Sequence, residues 1–257
     1  MYIDPAKCVK CKKCVPYCPV GAIKEAGGHM TIDLDACVEC CSCLRYAKCP
    51  RDAIYNVRLE PPRAYRKAFS DPFGKHENTT LKHAGRGTEE VKTNDVTGII
   101  HDLDTIGFAV ELGRPGVSAS FEDIQKVAMA VAPLIREFEV NNPVTALMVD
   151  KKTGKFDESV LGERVLSAIV EFRCDLYKAE EVLEALKQAS KEIDSVFSLG
   201  LISRVDESDD TVHARRVIDG MSIDVDRTSA KTNLGLGRPR YEDRIKEASK
   251  WPTLCTA

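Results

Sequence analysis

The residues with the clearest chemical signature are cysteines, because nine of the eleven lie between residues 8 and 49. They form two runs of similar design, in which three cysteines recur at every third position and a further cysteine directly precedes a proline. The runs comprise Cys8, Cys11, Cys14 and Cys18-Pro19, then Cys37, Cys40, Cys43 and Cys49-Pro50. Three thiolates at this interval let one loop surround a cubic iron–sulfur cluster, while the cysteine before proline reaches the other cluster. The two runs therefore predict two [4Fe–4S] clusters close together.

Zinc is the main alternative, because zinc sites also use Cys-x2-Cys pairs held in fours. In this chain, however, a third cysteine follows each pair at the same interval, and a Cys-Pro step ends each run. Zinc binding needs neither feature. A [3Fe–4S] cluster is also less favoured, since the middle cysteines of the two runs, Cys11 and Cys40, are both present. The preferred interpretation is thus iron in two four-iron clusters.

Residues 1–58 resemble the bacterial-type ferredoxins that hold two clusters, since eight cysteines and both prolines occur in the family's order. The chain also carries an internal repeat, in which residues 18–23 correspond to residues 49–54. The resemblance implies a ligand set for each cluster: Cys8, Cys11, Cys14 and Cys49 for cluster I, and Cys37, Cys40, Cys43 and Cys18 for cluster II. The exchange of Cys18 and Cys49 would join the two halves. Metal–ligand bonds would then supply much of the stability of so small a unit.

Two features depart from this family pattern. Five residues separate Cys43 from Cys49 where three are usual, so ligation by Cys49 depends on a longer loop. That loop is either a surface bulge, which we favour, or a docking face shaped by the side chains of Arg45, Tyr46 and Lys48. Cys41 directly follows a ligand, and adjacent residues cannot both point at one cluster without distorting the loop. We expect Cys41 to be a small, partly buried side chain, with replacement of a ligand as the alternative.

The composition bounds the class of protein. A chain of 257 residues exceeds one typical domain, so a second folded unit is expected. No apolar run approaches the roughly 18 residues of a membrane span, and Cys8 leaves no room for a signal peptide before it. Cys174 and Cys255 lack the paired framework of a disulfide scaffold. With a net charge of −3 and no basic patch, these features predict a soluble cytoplasmic protein that does not bind nucleic acid.

We predict four segments: a cluster domain over 1–60, an extended arm over 61–104, a second domain over 105–203 and a tail over 204–257. The arm lacks clear periodicity, as is usual for functional or disordered connections. Its glycine-containing turn at 85–88 is interpreted as a plain loop rather than as an anion-binding nest. The tail is expected to hold a short helix over 241–250. Trp251 is interpreted as packing on its own domain rather than as an anchor for a partner.

Residues 105–203 alternate between the patterns of strands and helices. Apolar runs predict strands over 105–112, 144–149, 165–172 and 195–202. Apolar residues at helical spacing predict two helices, one with a face from Phe121 to Val131 and its end at Pro133, and one over 179–189. Ser120 and Asp123 are expected to cap the first of these helices. The β-α-β-β-α-β order predicts a ferredoxin-like split βαβ plait, with two helices on one face of a four-stranded antiparallel sheet. The chain as a whole is therefore predicted to be α+β, and the plait itself selects no function.

The ligands indicate electron transfer, because an all-thiolate cubane passes one electron at a time. We predict no catalytic residue, since the sequence contains no nucleophile–base order and no phosphate loop. The chain is similar over its length to ferredoxins of anaerobes with a carboxy-terminal extension. Residues 37–43 also resemble part of the iron–sulfur β-subunit of adenylylsulfate reductase, which feeds a flavin subunit.

These resemblances imply an electron-transfer subunit of a hetero-oligomeric, anaerobic oxidoreductase. Its partner would be a redox protein that carries flavin or a metal cofactor. One alternative is a self-contained redox protein whose second domain binds or senses a small molecule. Another is a structural or nucleic-acid-binding iron–sulfur protein, which the absence of a basic patch disfavours.

Overall fold

The computed structural model describes residues 1–74, 100, 102–113, 118–206, 208 and 212–220. The buried apolar side chains of these residues form two main cores. One lies within the first 54 residues and the other is built mainly from residues beyond 105. In the part of the chain described, no helix has both the length and the apolar character needed to cross a membrane.

The amino-terminal unit is built from short elements around the cysteine runs. Its elements are β1 (Tyr2–Ile3), β2 (Ile23–Ala26), β3 (His29–Ile32), α1 (Ser42–Tyr46) and β4 (Ile54–Tyr55). β1 pairs with β4 and β2 pairs with β3, both antiparallel. Ile23 and Ile54 occupy corresponding positions of the internal repeat, and both are buried in the same core. The repeat in the sequence is therefore also a repeat in the packing.

Helix α2 (Ala64–Ser70) lies in the segment predicted to be an extended arm. Phe69 of this helix is buried, and its ring meets the ring of Phe121 edge-on at 5.3 Å in the second core. The Ser70 hydroxyl accepts a hydrogen bond of 2.8 Å from the backbone N–H of Leu166. The prediction of an extended conformation is wrong here, because a seven-residue helix is too short to show a clear period. The turn at 85–88 lies outside the described residues.

The carboxy-terminal unit is centred on a four-stranded sheet. Its strands are β5 (Thr105–Leu112), β6 (Ala119–Ser120), β7 (Glu137–Phe138), β8 (Met148–Asp150), β9 (Lys155–Phe156), β10 (Arg164–Val165), β11 (Ala168–Asp175) and β12 (Phe197–Ile202), and its helices are α3 (Phe121–Val131), α4 (Ala179–Ala189) and α5 (His213–Asp219). The sheet order is β12-β5-β11-β7, and every neighbouring pair is antiparallel. β6 pairs with β10, and β8 with β9, outside this sheet.

The core of this unit forms where one face of β5 and β11 packs against α3 and α4. Phe108 and Phe172 stack at 5.2 Å in the middle of the sheet. The apolar faces of the two helices are buried as their spacing predicts, and the helices also contact each other. The Ser120 hydroxyl accepts a hydrogen bond of 3.1 Å from the Asp123 N–H, so the predicted helix cap is confirmed. Cys174 is fully buried in this core, as a small apolar side chain would be.

The predicted strand over 144–149 is wrong. Thr145–Leu147 form a 3-10 helix, and only Met148–Asp150 is extended, pairing with β9 outside the four-stranded sheet. The second strand of the sheet in chain order is instead β7, which pairs with β11. A six-residue apolar run does not reveal by its pattern alone whether it forms a strand or another buried segment.

The other predicted strands are present with shifted bounds, at 168–175 and 197–202 in place of 165–172 and 195–202. Helix α5 was not predicted. The predicted helix over 241–250 and Trp251 lie outside the described residues.

Candidate iron–sulfur cluster sites

The four cysteines predicted to hold cluster I border one small cavity. Cys8, Cys11 and Cys14 come from the first run, and Cys49 reaches the cavity from the second run despite its longer loop. The backbone N–H of Ala53 donates a hydrogen bond of 3.4 Å to the Cys49 sulfur. Apolar side chains complete the wall, among them Ile3, Met30 and Ile54.

The four cysteines predicted to hold cluster II border a second small cavity. Cys37, Cys40 and Cys43 belong to the second run, and Cys18 comes from the first. The backbone N–H of Ala22 donates a hydrogen bond of 3.1 Å to the Cys18 sulfur. This bond is the counterpart, in the internal repeat, of the bond from Ala53 to Cys49. The structure thus brings together both predicted sets of four.

The two ligand loops share one backbone conformation. We name residues 9–13 loop I and residues 38–42 loop II. Loop I lies between Cys8 and Cys14, and loop II lies between the equivalent Cys37 and Cys43. Lys10 and Lys12 in loop I have φ angles of 55° and 60°, and Glu39 and Cys41 in loop II have 58° and 59°. Left-handed geometry is uncommon for residues other than glycine. Its recurrence at the same positions indicates that both loops are bent by the same requirement to turn thiols inward.

Cys41 is almost completely buried, with 2% of its surface exposed. Its sulfur accepts a hydrogen bond of 3.1 Å from the Lys67 ammonium group, and its S–H lies 3.5 Å from the Glu39 carbonyl oxygen. Burial raises the pKa of this thiol, and the hydrogen bond from Lys67 opposes that effect. Cys41 borders the second cavity, but its sulfur is already engaged by groups that are not cysteines. Its place outside the ligand set stays a prediction.

The loop between Cys43 and Cys49 is partly helical. It continues α1 as far as Tyr46, whose side chain is exposed, and Lys48 adopts a left-handed conformation. Arg45 does not face outward for docking, because its guanidinium binds the Asp71 carboxylate at 2.6 Å. The loop is therefore a helical turn tied to the residues that follow α2.

Burial of the thiols affects their ionisation. Burial raises the pKa of Cys14 and of Cys37, and it raises that of Cys43 to about 12. The charges of neighbouring cysteines add to the shifts of Cys14 and Cys43, and among these neighbours are Cys49 and Cys18 of the opposite run. Metal binding deprotonates coordinating thiols and so compensates for the free-energy cost of ionising them in a buried site. Among the described residues, no three His, Cys, Asp or Glu side chains are grouped to hold a single metal ion.

The two loops differ sharply in exposure. All five residues of loop I are exposed, including Cys11. In loop II, Val38, Glu39, Cys40 and Cys41 are all buried. At the equivalent valine positions, 58% of Val9 is exposed and 1% of Val38. Cluster I would therefore lie close to solvent, and cluster II would be enclosed.

Helix α2 holds the segment that leads into loop II through Arg66. One guanidinium nitrogen of Arg66, Nη1, donates hydrogen bonds to the carbonyl oxygens of Leu34, Asp35 and Cys37 at 2.9, 2.8 and 2.9 Å. Its Nε donates to the carboxylate of Glu163, in the carboxy-terminal unit. Arg66 is only 5% exposed. One side chain therefore joins the loop of cluster II to the second unit.

Two further ion pairs hold the same surface. Arg63 binds the buried Glu39 carboxylate at 2.6 Å, and Lys67 binds Asp71 at 3.2 Å, on the carboxylate that Arg45 also contacts. The ion pairs of these residues were not predicted from the sequence. Their only signal in the sequence is three cations within five positions after a Pro-Pro pair, which does not identify their partners.

Comparison with known proteins bears on the amino-terminal unit. The model of a 4Fe–4S binding domain matches residues 1–24. The chain is 46% identical over 59 residues to the pyruvate synthase subunit PorD of Methanocaldococcus jannaschii, a match that covers 23% of this chain and 66% of that protein. It therefore spans just under two thirds of that relative's length.

Two ferredoxins are also similar. The chain is 30% identical over 114 residues to Ferredoxin-1 of Caulobacter vibrioides, covering 34% of this chain and 98% of that protein. It is 36% identical over 62 residues to a ferredoxin of Alicyclobacillus acidocaldarius, covering 23% of this chain and 77% of that protein. No solved structure matches the chain significantly. The chain belongs to the 4Fe–4S ferredoxins, a family of iron–sulfur electron-transfer proteins.

Proposed function

We propose that this protein relays single electrons through two [4Fe–4S] clusters as a subunit of a larger oxidoreductase. The observation that carries the proposal is the crossed arrangement of cysteines. The first cavity is bordered by three cysteines of the first run and by Cys49 of the second. The second cavity is bordered by Cys37, Cys40 and Cys43 of the second run and by Cys18 of the first, and also by Cys41, which lies outside the proposed set. Cluster I would be held by Cys8, Cys11, Cys14 and Cys49, and cluster II by Cys37, Cys40, Cys43 and Cys18. When bound, such clusters accept and release one electron at a time.

The protein's own part in the relay is to position and enclose the clusters. The cysteines fix their location, and the N–H groups of Ala22 and Ala53 direct hydrogen bonds at the two crossing sulfurs. Hydrogen bonds to sulfur and exclusion of solvent both tune the potential of an iron–sulfur centre. Because the two cavities share one small core, an electron would need to move only between neighbours.

The proposed partner is a redox subunit that carries flavin or a metal cofactor, within a hetero-oligomer in the cytoplasm. Support comes from the relative named as a subunit of pyruvate synthase. That match covers 23% of this chain, so the relative does not define the partner of the remainder.

We also propose that the chain comprises two folded units, residues 1–60 and 105–203, and that the second is a ferredoxin-like split βαβ plait. The sheet order and the antiparallel pairing of all its neighbours support this topology. So does the chain order, which places α3 between the first and second strands and α4 between the third and fourth. In this proposal the plait serves as an assembly surface and supplies no ligand to the clusters.

The first test is the cluster content of protein purified without oxygen. We expect about eight irons and eight acid-labile sulfides per chain, the content of two cubane clusters. Cys49→Ser should damage cluster I before cluster II in electron paramagnetic resonance spectra, and Cys18→Ser should do the reverse. Cys41→Ser is the matched control, because it removes a neighbouring thiol that lies outside the proposed set, and it should keep all eight irons. Zinc at comparable stoichiometry would contradict the proposal.

The second test concerns the partner. Gentle purification of the protein from its native source should yield a stoichiometric chain that carries flavin or a metal cofactor. A monomer that oxidises or reduces a small substrate unaided would favour a self-contained redox protein instead.

A further inference from the structure

We infer that loop I is the contact surface for an acidic redox protein, and that electrons pass between this chain and that partner at cluster I. The inference rests on the proposed function, because it assumes that the first cavity holds a cluster. It adds the site of exchange and the chemistry of the partner. Cluster II, under this inference, exchanges electrons only with cluster I.

Loop I is accessible to a partner protein. Loop I carries an exposed cysteine, Cys11, which borders the first cavity. Two exposed valines flank it, Val9 at 58% and Val15 at 38%. An apolar centre of this kind lets a partner approach closely and exclude water. The equivalent surface beside the second cavity is closed, because Val38 to Cys41 of loop II are buried and Arg63 and Lys67 bind Glu39 and Cys41.

The surface around loop I is positively charged. Exposed cations surround loop I and flank the ligand Cys49: Lys7, Lys10, Lys12, Lys13, Lys48 and Arg51. Three carboxylates lie among them, Asp4, Glu25 and Asp52. Glu25 is shared between two lysines, at 3.5 Å from Lys10 and 3.2 Å from Lys12. The surface is thus positive on a chain whose net charge is −3, which suits a partner with an acidic docking face.

The lysines have a competing explanation, which is that they only offset the negative charge of the thiolates. Loop II argues against this. It has Glu39 and Cys41 at the positions of Lys10 and Lys12, although its backbone conformation is the same. A ligand loop of this shape therefore needs no lysine of its own. The cations near loop II lie on or beside α2 and are engaged with carboxylates. The lysines of loop I are exposed, and Glu25, which Lys10 and Lys12 share, is exposed as well.

The test uses the full-length protein with its clusters, reduced without oxygen and mixed with oxidants of opposite charge. Anionic Fe(III)–EDTA and cationic hexaammineruthenium(III) each take one electron from a reduced cluster, giving Fe(II) or Ru(II). The variant is Lys12→Glu with Lys13→Glu. At low salt we expect its rate with the anionic oxidant to fall about tenfold and its rate with the cationic oxidant to rise. Both effects should shrink at high ionic strength, because salt screens charges at the surface.

The matched control is Lys151→Glu with Lys152→Glu, two exposed neighbours in the carboxy-terminal unit that change the net charge equally. The control should alter either rate by less than about twofold. If both pairs change the rates equally, or neither does, loop I is not the site of exchange and the inference is overturned. A protein with no reducible iron–sulfur signal would instead contradict the proposed function, so the two failures are distinguishable.

Discussion

Loop I and loop II have the same spacing of cysteines and the same backbone conformation, but opposite surroundings. Loop I is exposed along its whole length, and loop II is buried from Val38 to Cys41. The difference does not arise within the loops. It comes from a segment that follows them in the chain, in which Arg63 and Lys67 bind Glu39 and Cys41 of loop II and Arg66 binds the carbonyl groups just before it. The ligand spacing therefore sets the geometry of each site, and the rest of the chain sets how accessible it is.

The two sides also differ in what holds them together. Around loop II, charged groups are buried and satisfied by defined partners, so removing one partner leaves others unpaired at a large cost. Around loop I, the ion pairs of Glu25 are exposed to water, where such pairs contribute little to stability. Substitutions of similar chemistry should consequently have large effects near loop II and small ones near loop I.

The largest effect is expected for Arg66→Met. This change removes the donor for three carbonyl oxygens and the partner of Glu163 while keeping most of the side chain's volume. We expect a loss of about 3 to 5 kcal/mol, as for breaking a buried ion pair. The measurements are the urea concentration at half-unfolding and the order in which the two cluster signals decline, with cluster II declining first.

Arg58→Met is the control for this experiment, because the Arg58 side chain is 91% exposed and, within the described part of the chain, pairs with an exposed Glu60. It should leave the unfolding midpoint unchanged. A decline of both clusters at the same rate in Arg66→Met would show that α2 stabilises the whole unit rather than the side of loop II.

Much of the cluster unit could be predicted from its sequence, because metal ligation imposes a fixed spacing on the cysteines. The side chains that enclose cluster II could not. Arg63 and Arg66 bind groups 24 to 97 positions away in the chain, and no local pattern encodes such pairings. Helix α2 itself was missed, since its seven residues cover barely two turns.

The carboxy-terminal unit follows the same division. Helix α4 was predicted with its correct bounds and α3 with its cap and buried face, because eleven residues display an apolar face at helical spacing. The run over 144–149 was wrongly predicted to be a strand, because its apolar residues are buried without being part of a strand. Val144 and Thr145 are buried in a 3-10 turn, where the apolar residues fill the core without strand pairing.

An intermediate effect is expected for Asp71→Asn. Burial opposes ionisation of Asp71, but hydrogen bonds from Arg45, the Phe73 N–H and Lys67 outweigh it, so the pKa of this carboxyl is lowered. The substitution weakens three charge-assisted contacts, and we expect a loss of about 1 to 3 kcal/mol. Because the pKa is lowered, the ionised Asp71 contributes its full stabilisation of the fold above the unfolded-state pKa of about 4. It is lost only as the pH falls through the folded-state pKa.

The urea midpoints of the wild type and Asp71→Asn should accordingly differ by the same amount at pH 6 and at pH 8. A gap that closed between these two values would mean that the carboxylate titrates in the neutral range and that the assigned contacts do not hold it ionised. Asp157→Asn offers a control, since Asp157 forms only a local contact with exposed Ser159 and should leave the midpoint unchanged at both pH values.

The smallest effect is expected for Glu25→Gln on the side of loop I. The pKa of Glu25 is lowered by a hydrogen bond from Lys12 and by the charges of Lys12 and Lys10, so the group is ionised at neutral pH. Its side chain is exposed, and we expect no change in the urea midpoint. Removing its charge leaves two lysines unopposed beside Cys11, so the rate of oxidation by Fe(III)–EDTA should rise about twofold at low salt.

Glu184→Gln is the counterpart on α4, where an exposed glutamate likewise pairs with a lysine, Lys187. It removes the same charge from a surface that takes no part in the proposed exchange, and the oxidation rate should stay unchanged. If the two glutamates proved equivalent, the rate would report only the net charge of the protein, and access at loop I would no longer distinguish cluster I from cluster II. A rise confined to Glu25→Gln would instead show that charges beside the exposed loop act locally. The contrast between the two loops would then lie in function as well as in burial.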